Sequence, residues 1–358
     1  MKFHTPTEVF FGENCLTKHA DMLIRGKKAL IVTGKTSAHA CGALDEVTGI
    51  LTAAGVAYDV FDGMRQNPLV SDCMRAAHTD ADFVIGIGGG SPMDASKAVA
   101  ILAASSGMTE EELFSGGWKN VLPVVCVGTT AGTGSEVTPI SVVTTSEGRK
   151  KSIRSEQIYP VVSYMDPRYT YALSDRFTRS TAIDALCHAA ESYFSLAATD
   201  LSRGYAAHAI KMLLPVFARY DGAPTEKDRA ALMEGALYGG LAISVTGTAL
   251  CHALSYFLSE DHDVPHGCAC GVYLPAFMKI NALAAPELYA AFFKEIGASE
   301  EDFFRAFSRM MPPLSLRLSA AEISSLAPRW NANANLQKTR GDTSPARITA
   351  LLIDLFGA

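Results

Sequence analysis

The stretch GIGGGSPMDASKAVA, Gly86–Ala100, decides the reading of the fold. It follows the apolar run Phe83–Ile87, which predicts a buried parallel strand. It opens a helical pattern with apolar residues at Met93, Ala98, Val99 and Leu102. Gly88, Gly89 and Gly90 stand at the strand-to-helix turn. Lacking side chains, they let the backbone approach a ligand, and the N–H groups that begin the helix can point at an anion. A tight turn without a ligand would use the same glycines. Ser91, able to donate to a phosphate oxygen, and Asp94 and Lys97, three residues apart on one helix face, favour a pyrophosphate cradle.

On either side of this turn the first half of the chain alternates strand and helix patterns. ALIVT (Ala29–Thr33), Tyr58–Phe61 and Val124–Val127 read as strands, and Ala43–Ala54 and Ser71–His78 as helices. Such alternation predicts a doubly wound parallel sheet with ligands at the carboxyl ends of its strands. Gly34, Asn67, Gly88–Ser91 and Thr129–Thr130 all follow strands, so four loops are expected to converge on one crevice. VTPISVVTT, the charged turn SEGRKK and YPVVSYMDP read as a hairpin and a return strand that close a first domain, residues 1–167. Residues 168–358 read as a helical bundle: Arg176–Leu196, Leu201–Phe217, Glu226–Ile243, Thr246–Leu258 and Gly271–Ala284, then two weakly defined helices and a last one over Ser344–Phe356. The fold class expected is α/β plus all-α.

At 358 residues and 48% hydrophobic content the chain can bury two cores. A net charge of −6 offers no basic surface for nucleic acid and favours small-molecule chemistry. No uninterrupted apolar run approaches the roughly 18 residues that span a bilayer, so no membrane role is expected. MKFHTPTEVFFGEN lacks a signal-like apolar core and reads as a strand and turn; a cytoplasmic location is the expectation. The eight cysteines are thinly spread, which favours free thiols in a reducing compartment. Cys268 and Cys270, close to His266, form a lone C-x-C, a weak zinc signal.

In TAIDALCHAAESYFS, Asp184 and His188 are four residues apart, which on a helix puts a carboxylate and an imidazole on one face. Together they can share a divalent cation. Alone, D-x-x-x-H in an apolar helix is more often a satisfied structural pair. His252 in CHALSYFL and His266 in VPHG, fourteen residues apart, change that balance, because a helix end and loop can bring both rings to the first pair. Glu191, one turn after His188, either accepts from a neighbouring group or faces solvent. His4, His19, His39, His78, His208 and His262 read as surface histidines.

GGGSPMDASK, TTAGTGSEVT (Thr129–Thr138) and the spaced Asp/His set together resemble the iron-containing, or group III, alcohol dehydrogenases, over a little more than half of the chain. The resemblance implies an N-terminal Rossmann-like domain and a C-terminal helical domain in a dehydroquinate synthase-like architecture. It implies Asp184, His188, His252 and His266 as ligands of Fe²⁺, with Zn²⁺ or Mn²⁺ possible. It implies Gly89, Gly90 and Ser91 at the pyrophosphate, Thr129, Thr130 and Thr133 on the adenine and ribose side, Asn67 beside the phosphates and Lys151 at the nicotinamide ribose. With Gly34, Gly88 and Asp94 these make up the expected cofactor set. The activity implied is hydride transfer between NAD(P)(H) and a small primary alcohol or aldehyde, the metal acting as Lewis acid in a cleft where it meets the nicotinamide. Family members commonly associate, and Glu8–Phe11 is an edge strand suited to a homodimer.

Three departures from the family pattern bear on mechanism. Where NAD-preferring members carry an Asp after the first strand, this chain has Gly34 and then Lys35; with Lys28 nearby, a 2′-phosphate meets attraction, which favours NADP(H) or dual use. Tyr256 replaces a histidine four residues after the third ligand, a poorer proton exchanger with its ordinary pKa of about 10. Gly128 replaces a proline, loosening that turn. The alternatives are a reductase of phosphonate-bearing aldehydes with Arg154 as an anion partner, a dehydroquinate synthase-type lyase, and a non-catalytic metal or nucleotide sensor.

Overall fold

The computed structural model describes residues 4–105, 107–330 and 333–357, so residues 1–3 of the expected amino-terminal strand and turn lie outside it. The chain divides into two compact units. One runs to Ser174 and takes in Thr225–Met233; the other comprises Asp175–Pro224 and Glu234–Ala358.

Among the described residues the first unit holds eight strands: β1 (Glu8–Phe11), β2 (Lys28–Thr33), β3 (Ala57–Phe61), β4 (Phe83–Gly88), β5 (Val124–Gly128), β6 (Ile140–Thr144), β7 (Lys150–Arg154) and β8 (Val162–Met165). Six of them form an all-parallel sheet in the order β1-β8-β5-β4-β2-β3, and β6 and β7 pair as an antiparallel hairpin. Its helices are α1 (Cys15–Lys18), α2 (Ser37–Ala40), α3 (Ala43–Ala53), α4 (Val70–Ala76), α5 (Gly90–Ala103) and α6 (Glu110–Ser115). The central strands β4, β5 and β8 are buried along their whole length, and β3, at one margin, is exposed except at Phe61. Strand alternation separates two cores. Leu30, Val32, Val84 and Cys126 pack with the apolar residues of α4 and α5, whereas Ala29, Ile31, Ile85, Val125 and Tyr164 pack with those of α1 and α3. Helices therefore cover both faces, and the sheet is doubly wound as expected. The chain leaves β2 toward β3, then returns to place β4 on the other side of β2, so the glycine turn after β4 lies where the winding reverses.

The second unit is helical: α7 (Asp175–Phe194), α8 (Asp200–Arg219), α9 (Glu226–Thr246, counted here from Glu234), α10 (Leu250–Asp261), α11 (His266–Ala284), α12 (Pro286–Ile296), α13 (Glu300–Met310), α14 (Ala320–Leu326) and α15 (Pro345–Phe356). Among the described residues three α-helices, not the expected two, lie between α11 and α15; Gly297, at φ 70°, caps α12 and separates it from α13. The helix expected from Thr246 starts four residues later, because Gly247 at φ 68° turns the chain through 109° between α9 and α10. The helix expected from Gly271 starts at His266. By length and composition α11 could cross a membrane, although Lys279 interrupts its apolar run; 61% of its most apolar window is buried in the fold, as befits a core helix.

Candidate functional site

The carboxyl edge of the sheet is laced together by hydrogen bonds between the loops that leave it. Thr33 Oγ1 donates to Ile87 O at 2.8 Å, Thr129 N to Gly88 O at 2.9 Å, Met64 N to Thr33 O at 3.1 Å, and Asn67 N to Ser91 Oγ at 3.3 Å. Gly34, Asn67, Gly88, Ser91 and Thr129 are thereby brought to one edge. Asn67 sits at φ 56°, a left-handed conformation that asparagine tolerates better than most residues. At the turn itself, a Cβ on Gly89 would stand 3.0 Å from the Thr130 side chain, and one on Gly90 2.7 Å from Thr133. The glycines thus keep the start of α5 open, and its N-cap residue, Gly89, supplies no side-chain cap. Thr129 Oγ1 and Thr130 Oγ1 are buried with no hydrogen-bond partner among the described residues. Buried hydroxyls without partners beside an uncapped helix start suit a phosphate and ribose ligand.

The loop carrying these threonines is held from below. Lys97, fully buried, donates through Nζ to Ser135 O (2.7 Å), Ser135 Oγ (2.9 Å), Thr138 O (2.9 Å) and Ile140 O (2.8 Å), with Asp94 Oδ1 at 3.9 Å. Asp94, expected in the cofactor set, accepts from Ser135 Oγ and from Val142 N at 2.9 Å. The Asp94–Lys97 pair therefore clamps the 135–142 segment onto α5. Gly128 ends β5 in register with Gly88, and its missing side chain leaves room for the Glu136 carboxylate.

Glu136 is 2% exposed, and Oε2 has no hydrogen-bond partner among the described residues. Burial pushes its pKa up to about 7, with Lys97 acting against the rise and Asp94 adding to it. The folded state therefore binds more protons than the unfolded chain between the ordinary 4.5 and about 7, and stability falls as pH rises through that window, by roughly 3 kcal/mol at most. Glu136→Gln, neutral at every pH, is expected to be more stable than the parent above about pH 7 and to lose this part of the slope. Urea midpoints at acidic and alkaline pH measure it; an unchanged slope would rule out the assignment.

Among the expected cations, Lys151 lies with Nζ 4.4 Å from the centre of the Phe114 ring. Lys28 is corrected: it begins β2, at the opposite end from the ligand-bearing loops, and is paired with Asp59 at 2.9 Å and with Asp80. Lys35 is exposed, directly after Gly34.

In the second unit, α7 places Asp184, His188 and Glu191 on one buried face. The residues after α10 fold back through Asp263, at φ 53°, and Pro265, so that His266 opens α11 beside Asp184. His252 Nε2 lies 3.2 Å from Asp184 Oδ1, and His188 Nε2 and His266 Nε2 lie 3.8 Å from it. The His188 and His252 rings are stacked with centroids 4.5 Å apart. All four expected ligands are thus gathered round one carboxylate oxygen. Donors sharing a tetrahedral ion at bonds of about 2.1 Å stand about 3.4 Å apart, close to these separations. The open question about Glu191 is settled by its position: it is fully buried and contacts His252 Nδ1, and accepts from His252 N at 3.2 Å. With Nδ1–H given to Glu191, His252 turns Nε2 toward Asp184, donating to that carboxylate while the ring is charged and able to offer a lone pair to a cation once Nε2 is deprotonated.

Electrostatics agree with the donor chemistry. Burial opposes charge on Asp184, yet His188, His266 and His252 outweigh it and hold its carboxyl well below the usual carboxylate range. Burial likewise opposes charge on His252, yet Cys270, Glu191 and Asp184 hold it well above the ordinary imidazole value. The pocket favours positive charge, which a divalent cation supplies. Tyr256 stacks near His266, centroids 6.1 Å apart at 23°. Of the two cysteines near His266, Cys268 faces Ser180, whereas Cys270 Sγ lies 3.8 Å from His266 Nε2.

Comparison with known proteins follows the same lines. The family model for iron-containing alcohol dehydrogenases matches residues 6–167, and that for the C-terminal part of the Fe-containing alcohol dehydrogenase family matches residues 178–337. The NADPH-dependent butanol dehydrogenase of Clostridium saccharobutylicum is 28% identical over 331 residues, 89% of this chain and 84% of that one. An iron-containing alcohol dehydrogenase from Thermotoga maritima superposes with a TM-score of 0.92 at 35% identity, covering 99% of each chain. A sulfoacetaldehyde reductase from Bifidobacterium kashiwanohense, solved with NAD⁺, superposes with a TM-score of 0.87 at 27% identity, over 99% of this chain and 98% of that one. The chain is an oxidoreductase and belongs to the iron-containing alcohol dehydrogenase family.

Proposed function

We propose that this enzyme interconverts a small primary alcohol and its aldehyde with NADP(H), accepting NAD(H) as well, and depends on a divalent metal. The observation that carries this reading is the convergence of Asp184, His188, His252 and His266 from three helices, with Glu191 behind His252. A divalent cation there, Fe²⁺ with Zn²⁺ or Mn²⁺ as alternatives, supplies Lewis acidity toward the substrate oxygen, and the nicotinamide supplies or accepts the hydride.

The chain's own residues do the rest. Asp184 contributes the charge and the imidazoles neutral nitrogens, and Glu191 fixes the tautomer of His252. Tyr256, beside His266, moves the proton to or from the substrate oxygen. Gly88, Gly89, Gly90 and Ser91 take the pyrophosphate, Asn67 borders it, and the hydroxyls of Thr129, Thr130 and Thr133 serve the adenine and ribose side, with Lys151 at the nicotinamide ribose. Gly34 and Lys35 replace a carboxylate that would repel a 2′-phosphate by a neutral and a positive group, which supports NADP(H). The named NADPH dependence of the butanol dehydrogenase relative points the same way. A homodimer joined along the outer edge of β1 belongs to the same reading.

The decisive assay follows absorbance of NADPH and of NADH with a panel of simple aldehydes after loading with Fe²⁺ or Zn²⁺. Steady consumption of reduced coenzyme, faster with NADPH, is the expected result. Turnover of a substrate without net coenzyme change would point to a lyase, and metal and nucleotide binding without turnover to a sensor; either overturns the proposal. In the same assay Gly34→Asp is expected to shift preference toward NADH, even though its Cβ would stand 3.1 Å from Met64 O and require a small local adjustment.

A further inference from the structure

The metal pocket contains a donor beyond the aspartate and three histidines. On α11, His266 and Cys270 are four residues apart and share a face, just as Asp184 and His188 do on α7. The donor atoms of Asp184, His252, His266 and Cys270 all lie within 4.8 Å of one another. Cys270 Sγ stands 3.8 Å from His266 Nε2. A nitrogen and a sulfur on one tetrahedral ion, at bonds of about 2.1 and 2.3 Å, are about 3.6 Å apart. The residue is fully buried, so the thiol is shielded from solvent, and these distances place its sulfur at the pocket. Cys268, two residues earlier, faces Ser180 and takes no part.

We propose that Cys270 is a thiolate ligand of the same ion, giving the centre a mixed oxygen, nitrogen and sulfur donor set with His188 alongside it. The inference rests on the metal-dependent reading above. As the metal–sulfur bond forms, the S–H bond breaks and its proton leaves to solvent. One soft donor among harder ones shifts selectivity toward Zn²⁺ and away from Mn²⁺, which prefers oxygen ligands.

Cobalt(II) is the probe, because its visible ligand-field bands report uptake and a near-ultraviolet sulfur-to-cobalt charge-transfer band reports a thiolate ligand. Metal-free full-length protein titrated with Co²⁺ is expected to show both. Cys270→Ser is expected to keep the ligand-field bands and lose the sulfur band. Its Zn²⁺ affinity, measured against a chromophoric chelator, is expected to fall roughly 10- to 100-fold, with a smaller change for Mn²⁺. Cys270→Ala, checked for folding by circular dichroism, separates loss of the sulfur from any new hydroxyl contact. Uptake by the parent protein without a sulfur band overturns the inference and leaves the metal-dependent reading standing. A sulfur band that survives in both variants assigns the ligand to another thiol and also overturns it. No Co²⁺ uptake by the parent protein overturns the metal-dependent reading itself, and the inference with it.

Discussion

Purified His252→Ala is expected to carry almost no divalent metal and to turn over at least roughly 10³-fold more slowly than the parent enzyme. Two losses combine. The imidazole nearest Asp184, 3.2 Å from its Oδ1, disappears, and Glu191, fully buried, loses the ring it contacts. A buried carboxylate left without its partner costs stability as well, so unfolding midpoints are needed beside the metal analysis. Glu191→Gln provides the gentler comparison. It keeps a neutral acceptor near His252 Nδ1, and it should weaken metal affinity roughly 10- to 100-fold while leaving all proposed ligands in place. Elemental analysis of the purified proteins and steady-state aldehyde reduction measure both effects. If folded His252→Ala retains metal and activity, the centre has been assigned to the wrong residues.

The parts of the fold that rest on short-range pattern were legible in the sequence. Phe83–Ile87 is apolar throughout because β4 is covered on both faces, and three glycines followed by Ser91 mark the turn into α5. That Asp184 and His188 share a helix face was legible from their spacing, whereas the ligand set with His252 and His266 was implied only by the family resemblance. What escaped was decided by long-range packing. Lys97 resembled a phosphate partner beside Asp94, but its ammonium is surrounded by acceptors from the 135–140 segment, which sequence separation conceals. Glu191 could be placed on the ligand face of α7, but only the position of α10 shows that it serves His252. Cys270 carried a spacing signal, four residues after His266, that was masked while α11 was expected to start at Gly271. The paired Lys28 was misjudged because residue order does not reveal which end of β2 a cation occupies.

Gly267 shows how closely stability and the metal centre are joined, and Gly267→Ala is expected to damage both. The residue follows His266 in the first turn of α11, and its N–H donates to Ser180 Oγ at 3.2 Å. A Cβ there would overlap the Ser180 carbonyl oxygen and stand 2.9 Å from Asp184 Cβ. The obstacle is α7 backbone, one turn before Asp184, so no side-chain rotation relieves it. Either α11 moves away and takes His266 with it, or the turn bearing Asp184 distorts. Overpacking of this kind costs roughly 3 kcal/mol, and displacement of even one donor lowers metal occupancy. Gly204, in the exposed interior of α8, is the counterpart: a Cβ there meets nothing within 4 Å. Gly204→Ala should raise stability by about 0.5–1 kcal/mol through helix propensity and leave metal content unchanged. Urea unfolding and metal analysis of the two variants separate a general effect of glycine removal from the close approach of α11 to α7. Equal stability and full metal occupancy in Gly267→Ala would mean that the two helices are not held at this distance in solution.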